Sequence, residues 1–287
     1  MLKAQRLPVP PLTLGEGPMW HSGRNALFFV DIEGRRLRGY REGTGLLLEL
    51  ETTDRIGFVV PHGAHLLAGV GTTLCTVDVD TGRITPVFDL PHNVGVRVND
   101  AKCDPDGRLF VGLMAFDRSR KDVADCGALL AVDSHGVMQT LAPMNIPNGM
   151  AWAGRNTFYH TDTATGCIDR YHCLPDGTIA NRHQAIDIGE GAPDGFCIDD
   201  AGMLWVALWG AGCVQRFDPN TGRMLEERIA LPEKNVSCCC FGGEDMHTLY
   251  ITTASSCGET GGLYACRVPV SGHAPYSWQG ALPHDMI

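Results

Sequence analysis

The chain has 287 residues, with 23 Lys and Arg against 33 Asp and Glu, for a formal net charge of −10. That balance argues against a nucleic-acid partner, since gripping a phosphate backbone takes clustered Lys and Arg. The start, "MLKAQRLPVPPLTLGEGP", has no apolar leader core, and no run of about 18 apolar residues occurs, so neither export nor a membrane span is expected.

In chain order the strand-like runs are "LFFVD" from residue 27, "LLAGV" from 66, "LFVGL" from 109, "FYHTD" from 158, "LWVAL" from 204 and "LYITT" from 249. Their spacings are 39, 43, 49, 46 and 45 residues, the kind of period that repeat architectures write into a sequence. Several runs lead into a second strand and an outer turn, as in "LCTVDVDTG", "GALLAVDSHG" and "GCVQRFDPNTG". Asp-Pro-Asn-Thr-Gly is turn chemistry, with Gly supplying the positive φ and Asp folding back onto the backbone. No stretch keeps the apolar period of a helix. The expected fold is therefore all-β, a single six-bladed β-propeller over residues 1–287 with about four antiparallel strands in each blade. Blades begin near residues 13, 56, 98, 147, 193 and 236, and the two chain ends are expected to complete one blade together. A β-sandwich is the alternative, but it would produce no regular echo. No Trp-Asp dipeptide occurs, so the WD40 signature is missing.

Rotation about one axis relates equivalent positions of successive blades, so one register becomes a ring around one mouth of the channel. That register, about ten residues before each strand run, holds Glu16, Ile56 or Gly57, Asn99, Asn148, Asp194 and Ser237. Taken singly, Asn-Gly or Asp-Gly reads as an ordinary turn. Glu is a poor turn former, however, and the ordinary turns "DPDG" at 104 and "DDAG" at 199 lie elsewhere in the repeat. Oxygen donors converging on one axis suit a hard divalent cation, with Glu16, Asn148 and Asp194 as its ligands at one end of the channel. Calcium fits an all-oxygen set best; zinc, manganese and ferrous iron also bind such sets.

Twelve cysteines show no C-x-x-C and no zinc spacing, and Cys238, Cys239 and Cys240 are consecutive, which is poor geometry for mutual bridging. They read as reduced thiols serving as small core hydrophobes, which places the chain in the cytosol. His160 reads as a packing histidine, and Asp31 and Asp162 as strand-end polar groups rather than a second ion site. No G-x-S-x-G elbow, H-E-x-x-H or Walker-type loop occurs.

The segments "LGEGPMW", "RVNDAKCDPDGRLFVGLM", "IPNGMAW", "PDGFCID" and "CFGGEDMHTLYITTAS" together resemble the gluconolactonase / regucalcin (SMP-30) family, its bacterial aldonolactonase branch in particular, over about residues 14 to 270. The resemblance implies a six-bladed propeller with one divalent metal on Glu16, Asn148 and Asp194. It also implies Asp194 as the catalytic carboxylate and Arg97 and Asn99 as substrate-binding residues. Read from residues alone, Arg97 could instead pair with Asp100. Where relatives carrying Met-Ala-Glu-Glu place a substrate-contacting glutamate, this chain reads Met-Ala-Phe-Asp, which leaves Asp117 for that contact. The implied activity is metal-dependent opening of aldono- or aldarolactones, with a small-molecule sugar lactone as partner and a monomer or weak homodimer as the assembly. Two rivals share the site: a broader esterase or phosphotriesterase, and a non-enzymatic calcium-binding propeller.

Overall fold

The computed structural model describes residues 2–117, 119, 125–256 and 258–280. Two short strands, β1 (Leu2–Lys3) and β2 (Gln5–Arg6), open the chain. Four four-stranded sheets follow in sequence order. The first holds β3 (Gly15–His21), β4 (Ala26–Asp31), β5 (Arg36–Arg41) and β6 (Gly45–Glu51). The second holds β7 (Ile56–His62), β8 (His65–Val70), β9 (Thr73–Val77) and β10 (Ile84–Asp89). The third holds β11 (Val96–Cys103), β12 (Leu109–Ala115), β13 (Gly127–Asp133) and β14 (Gly136–Met144). The fourth holds β15 (Pro147–Ala153), β16 (Thr157–Asp162), β17 (Cys167–Cys173) and β18 (Ile179–Asp187). Then come β19 (Ala192–Ile198), β20 (Leu204–Trp209), β21 (Cys213–Asp218), β22 (Arg223–Ala230), β23 (Asn235–Gly242), β24 (Thr248–Ala254) and β25 (Leu263–Arg267). With β1 and β2 these form one nine-stranded sheet, where the spacing predicts two separate ones. Its halves touch through β20 and β23 at a single residue pair, Trp209 with Asn235.

Place in the sheet decides composition. Every residue of β4 and β12 is buried, because each lies between neighbouring sheets, so these strands read as unbroken apolar runs. The outer strands β18 and β22 are largely exposed and carry Arg, Glu, Gln and Asn, and on β18 these blunt an open edge. Apolar clusters fill the spaces between sheets. Phe28 packs with Val59, Val98 with Phe58, Phe110 with Trp152, Tyr159 with Phe196, and Trp205 with Phe241. Tyr250 and Leu263 then pack on Trp20 and Phe29, back at the first sheet. The strands β3, β7, β11, β15, β19 and β23 adjoin in that order, and β23 adjoins β3. A sandwich has no such return.

The start of the chain closes the ring. Gln5 and Arg6 of β2 pair with Ala265 and Tyr264 of β25, while β1 runs parallel to β22. The last three strands β23, β24 and β25 are thus completed by the N-terminal β2, as the expectation of a blade shared by the two ends of the chain has it, and the described segment after β25 leaves that sheet. It crosses the far mouth of the channel, where Trp278 N donates to Pro61 O at 2.9 Å and Gln279 N to Gly107 O at 3.0 Å. His273, Pro275 and Tyr276 line the channel there, around a cavity of about 80 Å³. Strand alternation explains the cysteine run: Cys238 and Cys240 line this cavity, while Cys239 packs between sheets. Among the described residues no helix is long and apolar enough to cross a membrane.

Candidate functional site

Each channel-lining strand slips register against its neighbour near its start. The breaks fall between Glu16 and Met19, Ile56 and Phe58, Val98 and Ala101, Pro147 and Met150, Pro193 and Phe196, and Val236 and Cys238. A bulge leaves a residue unpaired and re-aims its side chain. Asn99, Asn148, Asp194 and Ser237 sit within these breaks and Glu16 at the edge of one, and all five are buried. Glycine follows Asn148 and Asp194 because the strands approach closely there. A Cβ on Gly149 would stand 2.5 Å from the Asp194 carbonyl oxygen, and one on Gly195 2.6 Å from Cys238 Cβ.

The strand-end aspartates secure the approach to this ring. Asp31 accepts from Thr13 N at 3.0 Å, Leu14 N at 2.9 Å and Gly34 N at 3.0 Å. Asp162 accepts from Asn145 N at 2.8 Å and Ile146 N at 2.9 Å. Both carboxylates therefore fix the segments that lead into β3 and β15.

Asn148 and Asp194 meet directly. Asn148 Nδ2 donates to Asp194 Oδ1 in a close contact and to Thr163 Oγ1 at 3.2 Å, while Asn148 Oδ1 is buried with no hydrogen-bond partner. Burial, then repulsion from Glu16 and Asp100, holds the Asp194 carboxyl well above the usual range. Burial and the Asp100 charge push Glu16 up to about 8. Two buried carboxylates that repel one another beside a bare carboxamide oxygen fit a hard divalent cation. Such an ion would supply the positive charge that all three oxygens lack.

Arg97 Nη1 donates to Asn99 Oδ1 and to Val98 O, each at 2.8 Å, and Asn99 Nδ2 donates to Pro147 O at 3.0 Å. Burial lowers the Arg97 pKa to about 10, while Glu33 and Glu16 oppose the shift, so it stays a cation at neutral pH. No Arg97–Asp100 ion pair occurs among the described residues; Asp100 Oδ1 instead accepts from Ala101 N at 2.8 Å. Asp117 is exposed beyond β12 and accepts from Ser119 N at 3.0 Å and Ser119 Oγ at 2.6 Å. Its neighbour Phe116 is 50% exposed, with the Arg55 guanidinium 4.1 Å above its ring. His160 is buried, stacked on Phe158 and lowered to about 4 by burial, so it is neutral and Nδ1 donates to Gly149 O at 3.0 Å.

Sequence reasoning gave no site role to Asp100, Lys102 or Thr163. Asp100 occupies the break in β11 at the place where β15 and β19 carry Gly149 and Gly195, and that exchange was the available signal. Its Oδ2 is buried without a partner. Lys102 lines the channel cavity, half-buried, and its Nζ donates to Phe196 O in a close contact. A second group, His65, Asp78 and Asp80, brings its ligand atoms within 4.8 Å of one another. There Asp80 is held by Arg24 through two 2.8 Å bonds, and Asp78 Oδ1 accepts from Asp80 N and Thr81 N at 3.0 Å, as in a turn.

Residues 14–255 match the family model described as SMP-30/Gluconolactonase/LRE-like region. The chain is 34% identical over 247 residues to regucalcin of Danio rerio, covering 84% of this chain and 83% of that protein. It is also 34% identical over 254 residues to the pentonolactonase XacC of Haloferax volcanii, covering 86% and 83%. Among solved structures, a calcium-binding protein, regucalcin, from Agrobacterium tumefaciens superposes with a TM-score of 0.88 at 24% identity, covering 97% of this chain and 98% of that one. A gluconolactonase from Xanthomonas campestris superposes with a TM-score of 0.74 at 24% identity, covering 93% and 97%.

Proposed function

The chain belongs to the SMP-30/gluconolactonase family, and from that premise we propose that it is a divalent-metal-dependent hydrolase that opens sugar lactones to the free sugar acids. We read its frame as a six-bladed propeller, the cyclic order of the channel strands supporting that count. The observation that carries the metal reading is Asn148 Oδ1, a buried oxygen without a partner beside the Asp194 carboxylate. Calcium is the favoured ion, from the all-oxygen donor set and from the calcium-binding relative. The substrate class follows the pentonolactonase and gluconolactonase relatives, with aldono- or aldarolactones as the candidates.

Glu16, Asn148 and Asp194 would hold the ion. Bound there, a divalent cation supplies electrostatic stabilisation of the negative charge that develops on a lactone carbonyl oxygen. Arg97, braced by Asn99, keeps guanidinium N–H groups for ring hydroxyls and fixes the sugar for attack. Asp194 orients the attacking water and takes its proton. A carboxylate beside a cation is a weak base, so orientation is its larger contribution. Asp117 is assigned the outer substrate contact, on an exposed rim beside Phe116. The protein would act on its small-molecule substrate as a cytosolic monomer or weak homodimer.

The test is acid release from a panel of aldono- and aldarolactones in a pH-stat, before and after strong chelation. Chelator-sensitive acceleration restored by calcium is expected. Acid release indifferent to chelation would remove the metal from the reaction. No acceleration with any sugar lactone would turn the assignment to a calcium-binding propeller.

A further inference from the structure

An amide ligand can serve a cation only if its oxygen, not its nitrogen, faces the ion, and the two ends of an asparagine have nearly the same shape. Something must therefore fix which way Asn148 points. Asp194 Oδ1 is one such neighbour, since a carboxylate that a bound cation keeps ionised only accepts. The other is Thr163, whose Oγ1 lies 3.2 Å from Asn148 Nδ2. The Thr163 hydroxyl has a single hydrogen, and it is given to Pro193 O at 2.8 Å. What remains toward Asn148 is a lone pair, which calls for an N–H.

From this we infer that Thr163 is the positioning residue of the metal centre: by accepting from Asn148 Nδ2, it turns the carboxamide oxygen toward the ion. The inference rests on Glu16, Asn148 and Asp194 being the cation ligands. Thr163 is itself rigidly placed. Its backbone N–H donates to Ile146 O at 3.0 Å, at the first position of a short 3₁₀ turn over Thr163–Thr165. The preceding residue, Asp162, caps that turn and also fixes Asn145 and Ile146, the residues that lead into Asn148. The orienting hydroxyl and the oriented amide are thus tied to one carboxylate. The hydroxyl's second bond, to Pro193, reaches the residue just before Asp194. Thr163 therefore spans the two neighbouring strands that supply two of the three ligands. Without the hydroxyl, Asn148 keeps only the Asp194 contact to hold its orientation. A flipped amide would then present hydrogens to the cation, which repel it.

The test compares Thr163→Val, which keeps the side-chain shape and loses the oxygen, with Thr163→Ser, which keeps the oxygen. Calcium affinity is read by titration calorimetry, and thermal unfolding in chelator reports the fold separately. Thr163→Val is expected to bind calcium at least about tenfold more weakly, the usual effect of losing a partner that orients a metal ligand. Thr163→Ser is expected to stay within about threefold of the parent. Parent-like affinity in Thr163→Val would overturn the inference, as would equal weakening in both variants. If the parent protein binds no calcium that Glu16→Gln abolishes, the metal reading itself fails and the role of Thr163 goes with it.

Discussion

Gly149 tests the close approach of strands that brings Asn148 and Asp194 together. A methyl group placed there would overlap a ring carbon of Phe196 and stand 2.5 Å from the carbonyl oxygen of Asp194. Phe196 is fully buried, so its ring has nowhere to move, and the carbonyl belongs to the neighbouring strand. Relief requires β15 and β19 to separate. Overpacking of this kind costs about 2 kcal/mol, which in a chain of 287 residues lowers Tm by roughly 3 °C. The same separation pulls Asn148 from Asp194, so calcium affinity should fall as well. Gly23→Ala is the control, because a Cβ there meets nothing nearer than 3.5 Å and the residue has no positive φ. Calorimetric unfolding with and without calcium reads both effects. Unchanged Tm and unchanged calcium stabilisation in Gly149→Ala would refute the crowding on which the site is built.

Three further outcomes are expected. With Glu16 pushed up to about 8 in the cation-free chain, about nine in ten Glu16 carboxyls are protonated at pH 7, so calcium uptake should release close to one proton or more. Affinity should accordingly rise as pH climbs toward about 8; calorimetry in buffers of different ionisation enthalpy reads the release, and none would contradict the shared burial of the ligands. The same raised pKa favours the fold below the unfolded value of 4.5, and that contribution is lost as pH climbs through about 8. The chelated protein should therefore lose Tm across this window from this group, and calcium should offset the loss. Lys102→Met removes the ammonium that donates to Phe196 O and offsets the Asp100 charge, and should cost about 2 kcal/mol in urea unfolding, with Asp100→Asn recovering part of it. Asp31→Ala leaves three backbone N–H groups unpaired and should destabilise by about 2 kcal/mol while loosening Glu16, seen as lower Tm and weaker calcium binding.

The ring of oxygens was legible because repetition wrote it into the chain. Glu16, Asn148 and Asp194 recur at one offset from strands whose apolar runs mark burial on both faces, and the fold turns equal offset into shared location. What hid was anything set by contact between repeats. Thr163 acts across a strand boundary through one hydrogen, and no spacing announces that. The glycines after Asn148 and Asp194 resemble turn residues until the neighbouring strand is in place, when they prove to be clearance. The fate of the chain ends was half visible. That the two ends of the chain share the last blade was expected from the repeat, but only the hydrogen bonds of Trp278 and Gln279 show the segment after β25 crossing the channel mouth.

The seam where β2 zips onto β25 has a consequence for assembly. Asn148 and Asp194 lie on the adjacent strands β15 and β19, whereas Glu16 belongs to β3, which adjoins β7 on one side and β23 across the seam on the other. On the proposed three-ligand site, capture of an ion would then depend on a finished circumference. A molecule unzipped at Gln5 and Arg6 alone would still be clasped at the Leu12–Gly261 and Leu14–Ala254 bridges, so the circumference has a second fastening beside its first.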